Sequence, residues 1–411
     1  MSLNERRGRE ASGPATDAAA LLLRLGVVAL AILIPCASVI SRRPLFILTP
    51  IGMVLVILGS RLSPERRMRT LPRLAQAVAS PLGLATLLFL GWAGLSFLWT
   101  PFPALALDRF GKTAGTLLLA LVALGGLPKH VRVSNSNLLP IGVAAAGLAI
   151  VAVAIFAPAA VQASEIDTNT VHRAMIGVVV LAWPALGALA MRERMGVAGI
   201  VAVIVAIAAV AVWLPSALAA LILAILAFSF AHSNPERTGA LLGCVAATLI
   251  LAAPAIPLVV KGVFGGLIDP NGSFGGFPAW ADIVRGDGLH LITGHGFDSS
   301  VRAYLSGRLP EMAPRGLLFE LWFELGVVGA ATAATLAFLC FTIAGRASRV
   351  IAPFLLAELV CVIALGASGQ AISQLWWLTL VSISALCFAI VMRGEHRAER
   401  VRARVVSGAT A

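Results

Sequence analysis

Residues 140–161 read PIGVAAAGLAIVAVAIFAPAAV, an apolar run without one charged side chain. A helix rises 1.5 Å per residue, so about 20 such residues cross the roughly 30 Å hydrocarbon core of a bilayer. A helix also satisfies its own backbone N–H and C=O groups, which lipid cannot do for an open strand. Working outward from this run, similar ones lie at about 18–40, 45–60, 82–99 and 113–127 on one side. On the other they lie at 174–191, 196–213, 216–232, 239–260, 317–343, 350–368 and 375–392. Of the 411 residues 59% are hydrophobic and 12% charged, against roughly 25% charged in soluble domains, and the mean hydropathy is +0.95. The expectation is an all-α integral membrane protein of about twelve transmembrane helices. One junction is open: Leu214-Pro215-Ser216 alone separates the seventh and eighth runs, so that pair also reads as a kinked or re-entrant element.

The organisation follows from loop lengths and charge. Residues 1–260 hold nine spans, 261–316 form a long loop, 317–392 hold three more spans, and 393–411 are a basic tail. Lysine and arginine concentrate on the side that carries Arg6-Arg7-Gly8-Arg9, the 61–73 connection and the tail, which the positive-inside rule makes cytoplasmic. Both termini are then cytoplasmic, and the first run, full in length, is expected to be retained as an anchor. The net charge of +12 is accounted for by cytoplasmic loops lying against anionic membrane lipids, so no nucleic-acid partner is implied. Cys36, Cys244, Cys340, Cys361 and Cys387 all sit in apolar runs without metal-ligand spacing and read as buried hydrophobes.

The 261–316 loop carries Lys261, Arg285, Arg302, Arg308 and Arg315 on the non-cytoplasmic side. Long translocated loops escape the charge rule, and the other reading is an anion site at the membrane surface. Its glycines include Gly265-Gly266, Gly275-Gly276 and Gly294-His295-Gly296, interleaved with two candidate helices. Asp298-Ser299-Ser300 is expected to cap one that carries Arg302, Tyr304 and Arg308. Residues 278–285 are expected to lie in the interface with Trp280 towards lipid.

No phosphate loop, nucleophile elbow, Cys-x-x-Cys or His-Glu-x-x-His motif is present, and no metal or cofactor is expected. Chemistry then rests on positioning and electrostatics. A guanidinium stays charged and pairs with two phosphate oxygens at once, which suits a lipid diphosphate and the charge that develops on it as a leaving group. Arg173, beside His172 at the start of the sixth span, stands where a membrane-embedded diphosphate reaches it. Arg42-Arg43, Arg109 and Lys112 read first as snorkelling interfacial cations. His295 offers a neutral imidazole as proton acceptor, and His290 is a weaker choice. Glu320, Glu324 and Glu358 are costly inside spans and are expected to face the bundle interior. Glu320 and Glu324, four apart on one helical face, pair with an arginine or orient substrate, with Arg24 a plausible buried partner.

Three segments carry a family resemblance. Glu324-Leu325-Gly326-Val327-Val328-Gly329 resembles the Glu-x-Gly-x-x-Gly signature that follows the long outer loop of the O-antigen ligase and O-antigen polymerase superfamily. Trp280 followed by Gly294-His295-Gly296-Phe297, and Trp99-Thr100-Pro101-Phe102-Pro103, resemble two further elements in the order that the superfamily has them. The resemblance implies metal-independent glycosyl transfer at the periplasmic face of the bacterial inner membrane. The donor would be an undecaprenyl-diphosphate-linked glycan and the acceptor a glycan or lipid A core. Arg173 matches the superfamily's mid-chain arginine. Two positions depart: Pro314-Arg315-Gly316 stands where ligases have Pro-His-Asn, and Gly276 where an arginine is expected. Arg315 and Arg285, with Arg302 and Arg308, are then the loop's candidate phosphate contacts, and His295 is the remaining base. A transporter or flippase of the same lipid-linked sugars and a peptidoglycan-type polymerase are the contrasting readings. The absence of an internal repeat and the single dominant outer loop weigh against transport.

Overall fold

A computed structural model describes residues 14–62, 75–76, 78–128, 131, 133–161, 170–264, 276–370 and 374–408. The Arg6–Arg9 segment, nearly all of the 61–73 connection, Gly265-Gly266, Asp269 and Gly275 lie outside them. The described residues form helices and turns, with no strand among them. Helix α1 runs Pro14–Val28, through a π-helical turn Ala29–Leu33, to Ile34–Ser38. It is followed by α2 (Arg43–Leu62), α3 (Pro81–Leu95), α4 (Pro103–Gly126), α5 (Leu138–Phe156), α6 (Thr170–Ala190), α7 (Met195–Val212) and α8 (Pro215–Ser233). Then come α9 (Pro235–Leu251), α10 (Ala255–Phe264), α11 (Gly276–Gly286), α12 (Ser299–Leu305), α13 (Leu317–Gly345), α14 (Ala352–Ala367) and α15 (Leu375–Gly408).

Among these residues nine helices are long and apolar enough to cross a membrane, ten if α9 and α10 are one bent span. Every expected run is helical, and α7 and α8 are two separate helices, turned at Trp213 in the left-handed conformation (φ 49°). Two expectations are corrected. The ninth run, 239–260, breaks into α9 and α10 at 73°. Pro254 sits in the break, where it cannot donate to the Ile250 carbonyl four residues back, and Trp322 Nε1 takes that carbonyl at 2.8 Å. The fourth helix starts at Pro103, ten residues before the expected 113, because a proline at the first helical position needs no N–H partner. Asp108, Arg109 and Lys112 therefore ride on α4 rather than in a flanking loop.

Helix α6 is the hub. It packs against α5, α7, α14 and α15 and is buried along 78% of its apolar stretch, as expected of a helix that is hydrophobic all round. Its first turn, with His172 and Arg173, opens at the same end of the bundle as the 276–316 segment. A second apolar cluster joins α3 and α9 to α11, α12 and α13 through Trp280, Phe297, Phe319 and Leu321, so the outer segment is packed onto the helices. Small residues set the closest contacts. A Cβ on Gly239 of α9 would sit 2.7 Å from the Phe341 carbonyl of α13, and one on Gly345 would sit 2.7 Å from the Pro235 carbonyl. Such backbone approach is how helices associate where lipid removes the hydrophobic drive. Gly239→Val is expected to lower the melting temperature of the purified protein by several degrees. Gly199→Val, at a position with open space around it, is expected to leave it unchanged in the same thermal scan.

Candidate functional site

Helix α13 is broken at Gly326, whose φ of 60° and ψ of −160° leave the helical region. A break frees the carbonyls of the preceding turn, and buried carbonyls must find donors. The Phe323 carbonyl accepts from the His295 N–H (2.8 Å), the Glu324 carbonyl from the Gly296 N–H (2.9 Å), and the Leu325 carbonyl from Trp92 Nε1 (2.9 Å). The approach is too close for any side chain: a Cβ on Gly294 (φ 72°) would collide with the Glu324 carbonyl, and one on Gly326 with the Ile292 carbonyl. The same turn rests on the end of α3, where Phe297 N–H donates to Ser96 Oγ at 3.0 Å and Gly296 lies against Thr100. The three segments singled out in the sequence thus form one joint.

Glu324, 2% exposed, locks the joint. Its carboxylate accepts from the Asp298 N–H (3.1 Å), the Ser300 N–H (3.3 Å) and the Ser300 hydroxyl (2.5 Å). It thereby caps α12, the role expected of Asp298. Asp298 is instead left-handed (φ 61°) and makes no side-chain cap. Its buried carboxylate lies 3.3 Å from Arg302 Nε and 4.0 Å from Arg109 Nε. Burial raises the Asp298 pKa above the ordinary 3.8, outweighing both arginines. The expected arginine pairing of Glu324 is replaced by these amide contacts, and Arg24 is exposed, so it is no buried partner. Trp280 is also corrected: it is 6% exposed and packs edge-on against Phe319 instead of facing lipid.

Beside this joint lies a cavity of about 620 Å³, walled by α4, α6, α12, α13 and the start of α15. It gathers Arg109, Lys112, Arg173 and Arg315 against one carboxylate, Glu320. The Arg173 guanidinium lies 5.1 Å from the Trp376 ring and that of Arg315 3.8 Å from the Tyr304 ring. Phe46, Arg173 and Trp376 also line an adjoining groove whose other walls include Ile34, Pro35, Leu45, Ala174, Leu181 and Leu380. The cationic cavity therefore adjoins a narrow groove of about 40 Å³, apolar apart from Arg173, Ser38, Ser41, Arg42 and Thr170.

A second cavity, about 340 Å³, lies on another face of α12 and holds His295, Asp287, Arg308, Ser299 and Phe102. His295 is stacked between His290 (4.3 Å) and Phe323 (4.1 Å). Its Nδ1 is 3.1 Å from the Phe323 carbonyl, so that nitrogen carries a proton, and its Nε2 is 3.4 Å from Asp287. Burial pulls its pKa down, but the hydrogen bond and charge of Asp287, with the Phe323 carbonyl, raise it above 6.5 overall. The pocket favours imidazolium over the neutral ring expected from sequence.

The nominated residues thus divide. Arg173, Arg315 and Glu320 meet in the larger cavity, His295 and Arg308 in the smaller, and Glu324 holds the wall between them. Arg308 lies beyond the end of α12, its guanidinium 5.8 Å from the Phe102 ring. Arg302 is engaged by Asp298, Arg285 is exposed at the end of α11 and His172 is buried in α6; none of the three lines either cavity. In the sequence Arg109 and Lys112 read as snorkelling residues, Tyr304 only as part of the loop helix, and Gln374 and Trp376 carry no signal; all five line the larger cavity. The Pro103 helix start was the signal for the first two. Comparison with known protein families, curated proteins and solved structures returns no match.

Glu324→Ala would strand the Asp298 and Ser300 amides, at about 1–3 kcal/mol each. Hydrogen exchange of 294–305 should accelerate in that variant while α5 and α6 stay protected. Because the folded loop favours protonated His295, its contribution to docking is complete below pH 6.5 and is lost as pH rises through the elevated value. Protection factors of 287–300, exchange corrected for its intrinsic pH dependence, should therefore fall above pH 6.5 in the wild type, and His295→Gln should flatten that dependence.

Proposed function

We propose that this protein is a bacterial inner-membrane glycosyltransferase that transfers or polymerises an undecaprenyl-diphosphate-linked glycan at the periplasmic face. The observation that carries the reading is the cationic cavity adjoining the apolar groove. A water-soluble anion needs only the first. A polyprenyl diphosphate uses both, with its head on Arg173, Arg315, Arg109 and Lys112 and the start of its chain against the groove beside Pro35, Phe46 and Trp376. Each buried methylene of that chain contributes about 0.8 kcal/mol. The resemblance of the Glu324–Gly329, Gly294–Phe297 and Trp99–Pro103 segments to the O-antigen ligase and polymerase superfamily points the same way, and these segments build the joint beside the cavity.

In this reading α4 and α14 also cross, which makes twelve spans with both termini cytoplasmic and the 261–316 loop outside. An acceptor hydroxyl attacks the anomeric carbon, the bond from that carbon to the diphosphate oxygen breaks, and the electron pair leaves with the lipid diphosphate. The arginines take up the charge that develops there, the part of the reaction that preorganised cations accelerate most. The hydroxyl proton passes to the Asp287 carboxylate, which the His295 imidazolium faces. Glu320 orients the arginines around the head group.

Reconstituted with radiolabelled undecaprenyl-diphosphate oligosaccharide and no added metal, the wild type should release free undecaprenyl diphosphate and lengthen the glycan. Arg173→Ala and Arg315→Ala should each slow release by about 10²-fold. Tight donor binding with lipid movement between leaflets and no bond breaking would instead establish the transport reading.

A further inference from the structure

We propose that the smaller cavity is a second ligand site, a carbohydrate site that holds the acceptor glycan. Its volume of about 340 Å³ falls in the range of roughly 300–1,000 Å³ typical of small-molecule pockets. The walls combine the rings of Phe102 and Phe323 with the Asp287 carboxylate, the His295 imidazole, the Arg308 guanidinium and Ser299. A sugar ring offers an apolar C–H face to Phe102, the Phe323 ring being stacked against His295, and hydroxyls, each both donor and acceptor, to the polar groups. The Ser299 hydroxyl is the telling group: the residue is 2% exposed, and Oγ has no hydrogen-bond partner among the described residues. A buried hydroxyl left unmatched is costly, and a ligand hydroxyl would complete it.

The charge pattern separates the two cavities. The larger is lined by four cations and one carboxylate, with Asp298 4.0 Å from Arg109 and Asp108 2.6 Å from Lys112. In the smaller, Asp287 faces His295 and Arg308 is the one remaining cation, so a diphosphate would meet a carboxylate and a single unbalanced cation. The spacing along α12 sets them on different sides of one short helix: Ser299 and Ala303 line the smaller cavity, Ser300 and Tyr304 the larger, and Leu309 borders both. Two substrates would thus approach from two sides of α12 and meet at its Leu309 end. Naming the sugar an acceptor rests on the proposed glycosyl transfer; the binding of sugar does not.

The test is saturation-transfer NMR on the full chain in nanodiscs, without lipid donor. The probe is the size-fractionated oligosaccharide released by mild acid from the surface polysaccharide of cells that make this protein. A fraction is expected to bind. Asp287→Asn and Arg308→Gln should each weaken it about tenfold, the loss of one charged hydrogen bond, and Arg173→Ala should leave it unchanged. Arg308 is exposed, so its variant should retain the wild-type melting temperature and separate lost binding from lost folding. Binding by no fraction, or binding untouched by both substitutions, would overturn the proposal. Sugar binding without turnover in the reconstituted assay would sink the glycosyl-transfer reading and leave this one standing. Turnover with an unchanged acceptor KM in both variants would do the reverse.

Discussion

A carboxylate buried at 2% exposure inside a membrane helix is unfavourable unless it is fully hydrogen-bonded. Glu324 meets that condition with two amides and a hydroxyl from a segment about 25 residues earlier in the chain. The outer segment and α13 therefore depend on each other. Without the carboxylate, α12 loses the cap at its N-terminus. Without α12, Glu324 is an unsatisfied carboxyl group in an apolar cluster. Both cavities are built on that bond, because α12 is the wall they share.

The irregularities of the helices serve the same end. Gly326 breaks α13 and frees carbonyls that the 294–296 turn and Trp92 then occupy. Pro254 breaks α9 and frees a carbonyl that Trp322 occupies. In water such carbonyls would be solvated; in a membrane they bind protein donors, so each break becomes a fastening point for something outside the regular bundle. Asp298 extends the linkage to Arg109 and Arg302, which connects the lock at Glu324 to a cation in the larger cavity.

Most of the helical framework was legible because span length and apolarity are properties of local sequence. The local reading failed where a partner decides the outcome. Asp298 has the composition of a helix cap, yet Glu324 supplies the cap from another helix and leaves Asp298 to the arginines. Trp280 has the look of an interfacial residue, yet Phe319 covers it. Arg109 and Lys112 looked like snorkelling residues because their helix was started ten residues late; Pro103 brings them over the cavity. Arg173 and Arg315, grouped in the sequence by their chemistry, line one cavity, but the stacking of Arg173 on Trp376 and of Arg315 on Tyr304 could be seen only in the fold. For His295 the residue was legible and its charge state was not, since Asp287 and the Phe323 carbonyl set it.

The central claim is that one lipid occupies the cationic cavity and the apolar groove together. A polyprenyl diphosphate carrying a photoreactive group on the isoprene unit next to the diphosphate, crosslinked in nanodiscs and mapped by mass spectrometry, tests it most directly. The account predicts labelling of Phe46, Ala174 and Trp376, displaced by unlabelled polyprenyl diphosphate and lost in Arg173→Ala. Labelling confined to other helix faces, or labelling at these residues that Arg173→Ala leaves intact, would contradict it.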